Sequence, residues 1–232
     1  MATAVIGAAP PPLYRYERKF VVEHRDAHEV ALWVRQNPAM FRPAYPPRWV
    51  NNIYFESPGF HYYFDNKDGL EKRKKIRVRW YGPLFGRVER PMLEFKIKAG
   101  LVGRKESYRL PALVMGKATG LEALASALQA AELPLLVQRE LAFVVPTLLN
   151  RYHRQYYVSA DGAHRLTLDA GLEFYRCLSP AHAFVERRSA PRLIVLELKY
   201  SESAADGAES ITNAFPVRLT RMSKYVLGLE GP

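Results

Sequence analysis

Charged residues stand at every second position in several distant segments of this chain. The pattern is clearest in Arg77-Val78-Arg79, Leu93-Glu94-Phe95-Lys96-Ile97-Lys98 and Leu196-Glu197-Leu198-Lys199. A β-strand points alternate side chains to opposite faces. Glu94, Lys96 and Lys98 therefore share one face, and Leu93, Phe95 and Ile97 share the other. Arg15, Glu17 and Lys19 follow the same rule, although Arg18 interrupts the apolar side. An ordinary half-buried strand carries a mixed polar face, whereas here that face is mostly Arg, Lys and Glu. A closed barrel with a charged, mostly cationic lumen would account for this, and such a lumen suits a polyanion. For any one strand, a solvated outer face with cross-strand ion pairs explains the alternation equally well.

The elements that must position these residues can be read in order. Residues 13–24 predict a first strand. Asp26 to Asn37 predicts a helix, with Asp26 as N-cap, Glu29 completing a capping box and Pro38 as the stop. The prolines at 38, 43, 46 and 47 predict an irregular stretch up to Arg48. Strands are expected at 49–56, 60–66, 72–81 and 88–99, then a turn over 99–103 and a strand at 104–110. Thr119 to Ala131 predicts the best helix, capped by Thr119 and ended by Pro134. Residues 135–146 are ambiguous. Strands at 149–159 and 164–176 are joined by Asp161-Gly162, a hairpin signal. Further strands are expected near 182–188 and 192–200, a surface loop at 201–210 and a short helix at 219–229. No repeat or composition break divides the chain, so residues 1–12 are read as a flexible tail and 13–232 as a single domain.

Composition narrows the class. The 232 residues are 48% hydrophobic and 12% aromatic, enough for a sizeable core. The formal net charge of +11 calls for an anionic partner, whether nucleic acid, an acidic surface or a phosphate-rich small molecule. The single cysteine, Cys177, excludes an internal disulfide and has no second thiol for a structural zinc site. It reads as a small strand residue. No stretch approaches the ~20 apolar residues of a membrane helix, and the short apolar start lacks a basic region. A cytoplasmic, soluble protein is the expectation. The six histidines have no metal-ligand spacing on one face; His153 shares the strand face of Arg151. Lys72 to Lys75 reads as a solvated strand start, or as an approach that steers anions inward. No RNA- or DNA-binding motif supports nucleic acid as the partner.

The charged segments also occur in a particular order. Tyr14-Arg15-Tyr16-Glu17-Arg18-Lys19-Phe20 and Asn52-Ile53-Tyr54-Phe55 are followed by Arg77-Val78-Arg79-Trp80-Tyr81-Gly82 and Leu93-Glu94-Phe95-Lys96. Arg151-Tyr152, Arg165-Leu166-Thr167-Leu168-Asp169, Leu196-Glu197-Leu198-Lys199-Tyr200 and Ser223-Lys224-Tyr225 complete the series. The series resembles the VTC (vacuolar transporter chaperone) domain of the triphosphate tunnel metalloenzyme superfamily, to which the CYTH-type triphosphatases also belong. The resemblance runs from about residue 14 to residue 228. It implies an α+β, mainly antiparallel fold, a closed barrel of about eight strands with a few flanking helices. Eukaryotic members polymerise inorganic polyphosphate from ATP within a membrane complex, and this chain looks like the catalytic domain alone. By motif position the resemblance assigns phosphate contacts to Lys19, Arg77, Arg79, Lys96, Arg151, Arg165, Lys199 and Lys224. It assigns a divalent metal, Mn²⁺ or Mg²⁺, to Glu197. Arg15, Glu17 and Lys98 join the substrate-binding face, with Glu94 as an Arg partner or a metal ligand. Asp169 has the same two options. Lys105 and Arg109 have the strand parity to belong to the set.

One position departs from the superfamily's hydrolases, which open with Glu-x-Glu-x-Lys. Arg15 stands at the first glutamate position, while Glu17 and Lys19 keep the rest. The departure favours transfer to a phosphate over attack by water. Phosphoryl transfer needs positioning and neutralisation of charge, which Arg forks, Lys and a metal provide. A terminal phosphate is already an anionic nucleophile, whereas a hydrolase must also activate water. Three functions follow: a metal-dependent polyphosphate polymerase using ATP or another nucleoside triphosphate, a hydrolase of tripolyphosphate or a nucleoside triphosphate, and a non-catalytic polyphosphate-binding module. A membrane or regulatory partner protein is left open.

Overall fold

Strand-forming aromatic and β-branched residues alternate with charge in many segments of the chain, and strand is its commonest element. The computed structural model describes residues 15–100, 102–178 and 183–231. The expected tail at 1–12, the start of the first strand, Leu101 of the expected turn and His182 lie outside these residues, as do the side chains of Arg15 and Val102. The strands are β1 (Arg15–Glu23), β2 (Arg42–Glu56), β3 (Lys72–Tyr81), β4 (Gly86–Val88), β5 (Met92–Ala99), β6 (Val102–Arg109), β7 (Leu113–Met115), β8 (Val145–Val158), β9 (His164–Leu178), β10 (Ala183–Ala190) and β11 (Leu193–Ser201). The helices are α1 (Ala27–Gln36), α2 (His61–Lys67), α3 (Gly120–Gln129), α4 (Leu135–Leu141), α5 (Ala205–Asn213) and α6 (Lys224–Glu230).

Eight strands follow one antiparallel path, β1-β11-β9-β8-β2-β3-β5-β6, and β10 pairs with β9 beside it. The architecture is α+β and mainly antiparallel, as expected. The closed barrel is not found: among the described residues no ladder joins β6 to β1, the two ends of the path. The sheet nevertheless curls until Lys96 of β5 reaches Glu17 of β1, donating to Oε1 at 2.8 Å. Side chains, not backbone, cross this seam. The β6 edge carries mostly cations, Arg104, Lys105 and Arg109, and edge charges commonly keep strands unpaired.

Three apolar clusters hold the sheet in this shape. On the convex side Ile76, Val78, Trp80 and Phe95 pack under α3 and α4. Leu166, Leu168, Leu196 and Leu198 pack with Phe20 under α1 and α5. The third lies inside the curl, where Val50, Tyr54, Leu148, Tyr152, Phe174 and Val195 meet Tyr225 of α6. Helix α6 therefore closes part of the concave face and delivers its first turn to the charged residues.

Several elements differ from expectation. The predicted strand at 60–66 is helix α2. Buried Glu56, at the end of β2, accepts hydrogen bonds from the amides of Tyr62 and Tyr63, at 3.0 and 2.8 Å, and with Ser57 Oγ, which accepts from the amide of His61 at 3.0 Å, satisfies the helix N-terminus. Glu56 also accepts the hydroxyl of Tyr225, tying α2 to α6. The proline-rich stretch before Arg48 belongs to β2, with register shifts between Pro43 and Arg48 that absorb the missing donors. The loop expected at 201–210 holds a short 3₁₀ turn and α5, whose Thr212 accepts a hydrogen bond from Arg18. The ambiguous 135–146 stretch contains α4. Asp26 caps α1 by accepting from the amide of His28, but Glu29 pairs with Arg25, and the Thr119 side chain makes no cap bond. Cys177 is a buried strand residue, its thiol pushed up to about 12 by burial.

Gly228 sets how closely α6 sits. A Cβ there would lie 2.5 Å from Phe174 Cδ1 and 2.6 Å from Leu148 Cδ2. Gly228→Ala is expected to lift α6 and to destabilise the protein by about 1–3 kcal/mol, read as a lower urea midpoint at unchanged slope.

Candidate active site on the concave face

Strand parity brings the charged residues to one side. The β3–β5 register places Arg77 opposite Glu94 and Lys75 opposite Lys96, and the β1–β11 register places Glu17 opposite Lys199 and Lys19 opposite Glu197. The concave face therefore holds alternating cations and carboxylates from seven strands, with α6 over it.

Three connected groups make up the site. In the first, Arg77 donates to Glu94 at 2.8 Å and Lys105 donates to the other carboxylate oxygen at 2.9 Å, with Arg79 3.8 Å away. Arg79 also donates to Asn52 at 2.8 Å and to the Tyr152 hydroxyl at 3.3 Å. In the second, Lys96 donates to Glu17, and Lys199 lies 2.8 Å from Glu197 and 4.0 Å from Glu17. Lys19 lies 3.9 Å from Glu197. In the third, Arg154 grips Asp169 with two parallel bonds of 2.6 and 2.7 Å, and Lys224 of α6 reaches the same carboxylate at 2.6 Å.

The protonation states follow from this crowding. Burial and neighbouring Glu197 push the Glu17 carboxyl up, but Lys96, Lys199 and Lys19 outweigh them and hold it below its usual range. Burial acts against Glu197 and Asp169 as well, and their surrounding cations keep both ionised. Burial would lower Lys19, yet Glu197 and Glu17 raise it. Burial lowers Lys96, and Glu17 and Glu197 only partly offset this. Two buried polar atoms on this face have no hydrogen-bond partner among the described residues, Thr167 Oγ1 and Asn150 Nδ2. Both can donate to a phosphate oxygen.

Most residues expected from sequence meet here: Lys19, Arg77, Arg79, Lys96, Lys199, Lys224, Glu17, Glu94, Lys105 and Glu197 are linked through the contacts above. Lys98 lines the adjoining cavity with Lys96 and Lys19. Arg165 is opposite Lys199 in the β9–β11 register but is exposed at the rim. Arg109 has the parity of Lys105, is exposed, and makes no ion pair among the described residues. The backbone of Arg15 pairs with Ser201; its side chain lies outside the described set.

Arg151 is the misplaced member. It sits on the opposite face, its guanidinium 3.9 Å above the Trp49 ring, with His153 edge-on to the same indole at 5.4 Å. Arg154 occupies the concave face in its stead, three residues on and therefore of opposite parity. The sequence carries a signal for it. The Asp161-Gly162 hairpin pairs Val158 with Arg165, and counting outward sets Arg154 opposite Asp169. Lys75 ends the basic run expected to be a solvated strand start, yet it is half-buried and lines the cavity, and its parity is that of Arg77 and Arg79. Lys74 points the other way, to Glu140.

A divalent ion of the Mg²⁺ type is held by one or two carboxylates together with water and substrate phosphates. Glu17 and Glu197 supply such a pair, both within reach of Lys199. Among the described residues no cluster of three His, Cys, Asp or Glu could cage a metal. The pair fits a metal that arrives with a phosphate substrate.

A curled antiparallel sheet with a concave face of interleaved cations and carboxylates is the fold of the triphosphate tunnel metalloenzymes. The VTC domain model matches residues 14–231, and the chain belongs to that family. No curated protein matches it. Among solved structures, a putative adenylyl cyclase from Hippeastrum, described as having a dominant triphosphatase activity, is similar in fold: TM-score 0.53 and 14% identity over 93% of this chain and 95% of that one. A conserved hypothetical protein from Pyrococcus furiosus aligns with TM-score 0.50 and 12% identity over 92% of this chain and 99% of its own.

Burial pushes the Glu94 carboxyl up, but Arg77, Arg79 and Lys105 bring it down to about 2 from an ordinary 4.5. Its contribution to stability is therefore complete above the ordinary value and is lost as pH falls through the folded one. The shift corresponds to about 3 kcal/mol. Acid titration of unfolding stability should show wild type losing that amount between about pH 5 and 2. Glu94→Gln should be less stable at neutral pH and flatter over that window. Equal acid slopes in the two proteins would contradict the assignment.

Proposed function

We propose that this chain is a metal-dependent polyphosphate polymerase that transfers the terminal phosphate of ATP, or another nucleoside triphosphate, to a polyphosphate chain. The observation that carries the reading is the charge balance of the enclosed face. Eight cations, Lys19, Lys75, Arg77, Arg79, Lys96, Arg154, Lys199 and Lys224, surround four carboxylates, Glu17, Glu94, Asp169 and Glu197. The surplus charge suits two phosphate chains brought end to end. In the step, a terminal oxygen of the acceptor forms a bond to the γ-phosphorus, and the bond from that phosphorus to the β–γ bridging oxygen breaks. Nucleoside diphosphate leaves with the electron pair. The acceptor is already anionic, so the site need only relieve repulsion and align the groups.

The roles divide by geometry. Arg77, Arg79 and Arg154 are held by Glu94, Asn52 and Asp169 with their remaining N–H groups free for phosphate oxygens. Lys19, Lys96, Lys199 and Lys224 add point charges. Glu17 and Glu197 would hold Mg²⁺ or Mn²⁺, which when bound neutralises charge on phosphoryl oxygens. Arg15, replacing the hydrolase carboxylate, favours transfer over water attack. No helix of the described residues is long and apolar enough to cross a membrane; we place the reaction in the cytoplasm, where nucleoside triphosphate is supplied. Hydrolysis of a triphosphate is the second reading, favoured by the activity attributed to the Hippeastrum protein and by the retained Glu17.

Pure protein incubated with ATP and Mn²⁺ or Mg²⁺ should yield long-chain polyphosphate on a gel. Free phosphate alone would favour the hydrolase. Glu197→Gln should lower metal-dependent turnover by about a hundredfold or more while tripolyphosphate binding is kept or tightened, because one negative charge leaves a cationic site.

A further inference from the structure

Lys75 projects from β3 into the cavity of about 700 Å³ that adjoins the site, between the seam and α6. Of the eight cations counted above, it is the one with no carboxylate partner among the described residues; the other seven are tied to Glu17, Glu94, Asp169 or Glu197. Lys75 instead donates to the Ser223 hydroxyl at 2.9 Å, and that hydroxyl also caps α6 by accepting from the amide of Val226 at 3.3 Å.

The groups facing Lys75 are almost all positive. Lys19 approaches from β1, Lys96 from β5, and Arg73 and Arg77 from its own strand. From α6 it meets the Tyr225 ring, 5.8 Å away, and Ser223. The carboxylates bordering the cavity are engaged or remote. Glu17 pairs with Lys96 and Lys199, and Glu230 pairs with Lys67. Asp68 and Glu71 stand exposed at the cavity edge and form no ion pair with Lys75. Burial first, then these four cations, drive the Lys75 ammonium well below its usual range.

We propose that Lys75 waits in the empty site as a neutral amine and becomes an ammonium when a phosphate chain binds, so that anion binding is coupled to proton uptake at this residue. This rests on the polyphosphate reading of the site. The proton comes from solvent, or from a protonated terminal phosphate of the ligand. The bound anion supplies the negative charge that the cavity lacks, and only then is the charged form favoured. Storing Lys75 uncharged lets the site exist without ligand despite its crowded cations, and still adds a further positive charge when the ligand arrives. Affinity is therefore expected to fall by up to about tenfold per pH unit as pH rises between the free and bound values of Lys75.

The test is calorimetric titration of the full chain with inorganic tripolyphosphate, without metal, in two buffers of different ionisation enthalpy. The buffer dependence of the heat counts protons taken up. Wild type should take up about one proton more per site than Lys75→Arg, whose guanidinium stays charged throughout. Lys75→Met should lose the same uptake and bind more weakly, which guards against a folding defect peculiar to the arginine variant. Equal uptake in wild type and both variants would overturn the proposal while leaving the polyphosphate site intact. Absence of tripolyphosphate binding by folded wild type would overturn the site itself, and the proposal with it.

Discussion

The structure depends on the mutual repulsion of cations gathered inside a curled sheet. Taking one charge out of water is costly, and taking out several of one sign costs more. The fold meets this with carboxylates set at alternate positions among the cations. Each of Glu17, Glu94, Asp169 and Glu197 touches two or more positive groups. These acids are too few to neutralise the face. The remainder is an unmet demand for negative charge, which the proposed phosphate substrate would supply.

The same constraint explains the seam and the helix over it. β6 and β1 bring cations toward each other, and Lys96–Glu17 makes the crossing where a backbone ladder is missing. Helix α6 fills part of the concave face with Tyr225 and places Lys224 on Asp169. Its position is set from outside the charged region, by Glu56 on the Tyr225 hydroxyl and by the close packing of Gly228 on Phe174. An apolar floor and a single buried acid thus hold a cation in register with a carboxylate on another strand.

Much of the charged face is legible in the amino-acid sequence. The pleat has a period of two, so Arg77 with Arg79, Glu94 with Lys96, and Glu197 with Lys199 must share faces wherever those strands go. The order of the family's motifs then indicates that the faces turn inward. Where the expectation fails, the deciding partner lies on another element. Residues 60–66 are expected as a strand, but Glu56 presents its carboxylate to the amides there, and a helix forms. Arg151 and Arg154 both stand in β8 on opposite faces, and choosing between them requires the hairpin register with Asp169.

The sequence by itself determined the charge excess, the strand alternation and the membership of the VTC family, because these depend on composition, on a local period and on the order of short motifs. Tertiary structure alone decided that, among the described residues, no ladder joins β6 to β1 and Lys75 meets no acid, and that Arg154 and not Arg151 faces the site. A strand specifies only which side chains share its face. Which charges end up opposite one another is settled by register and by the curl of the whole sheet, and the curl is set by apolar packing against α1, α3 and α6 that no single strand encodes.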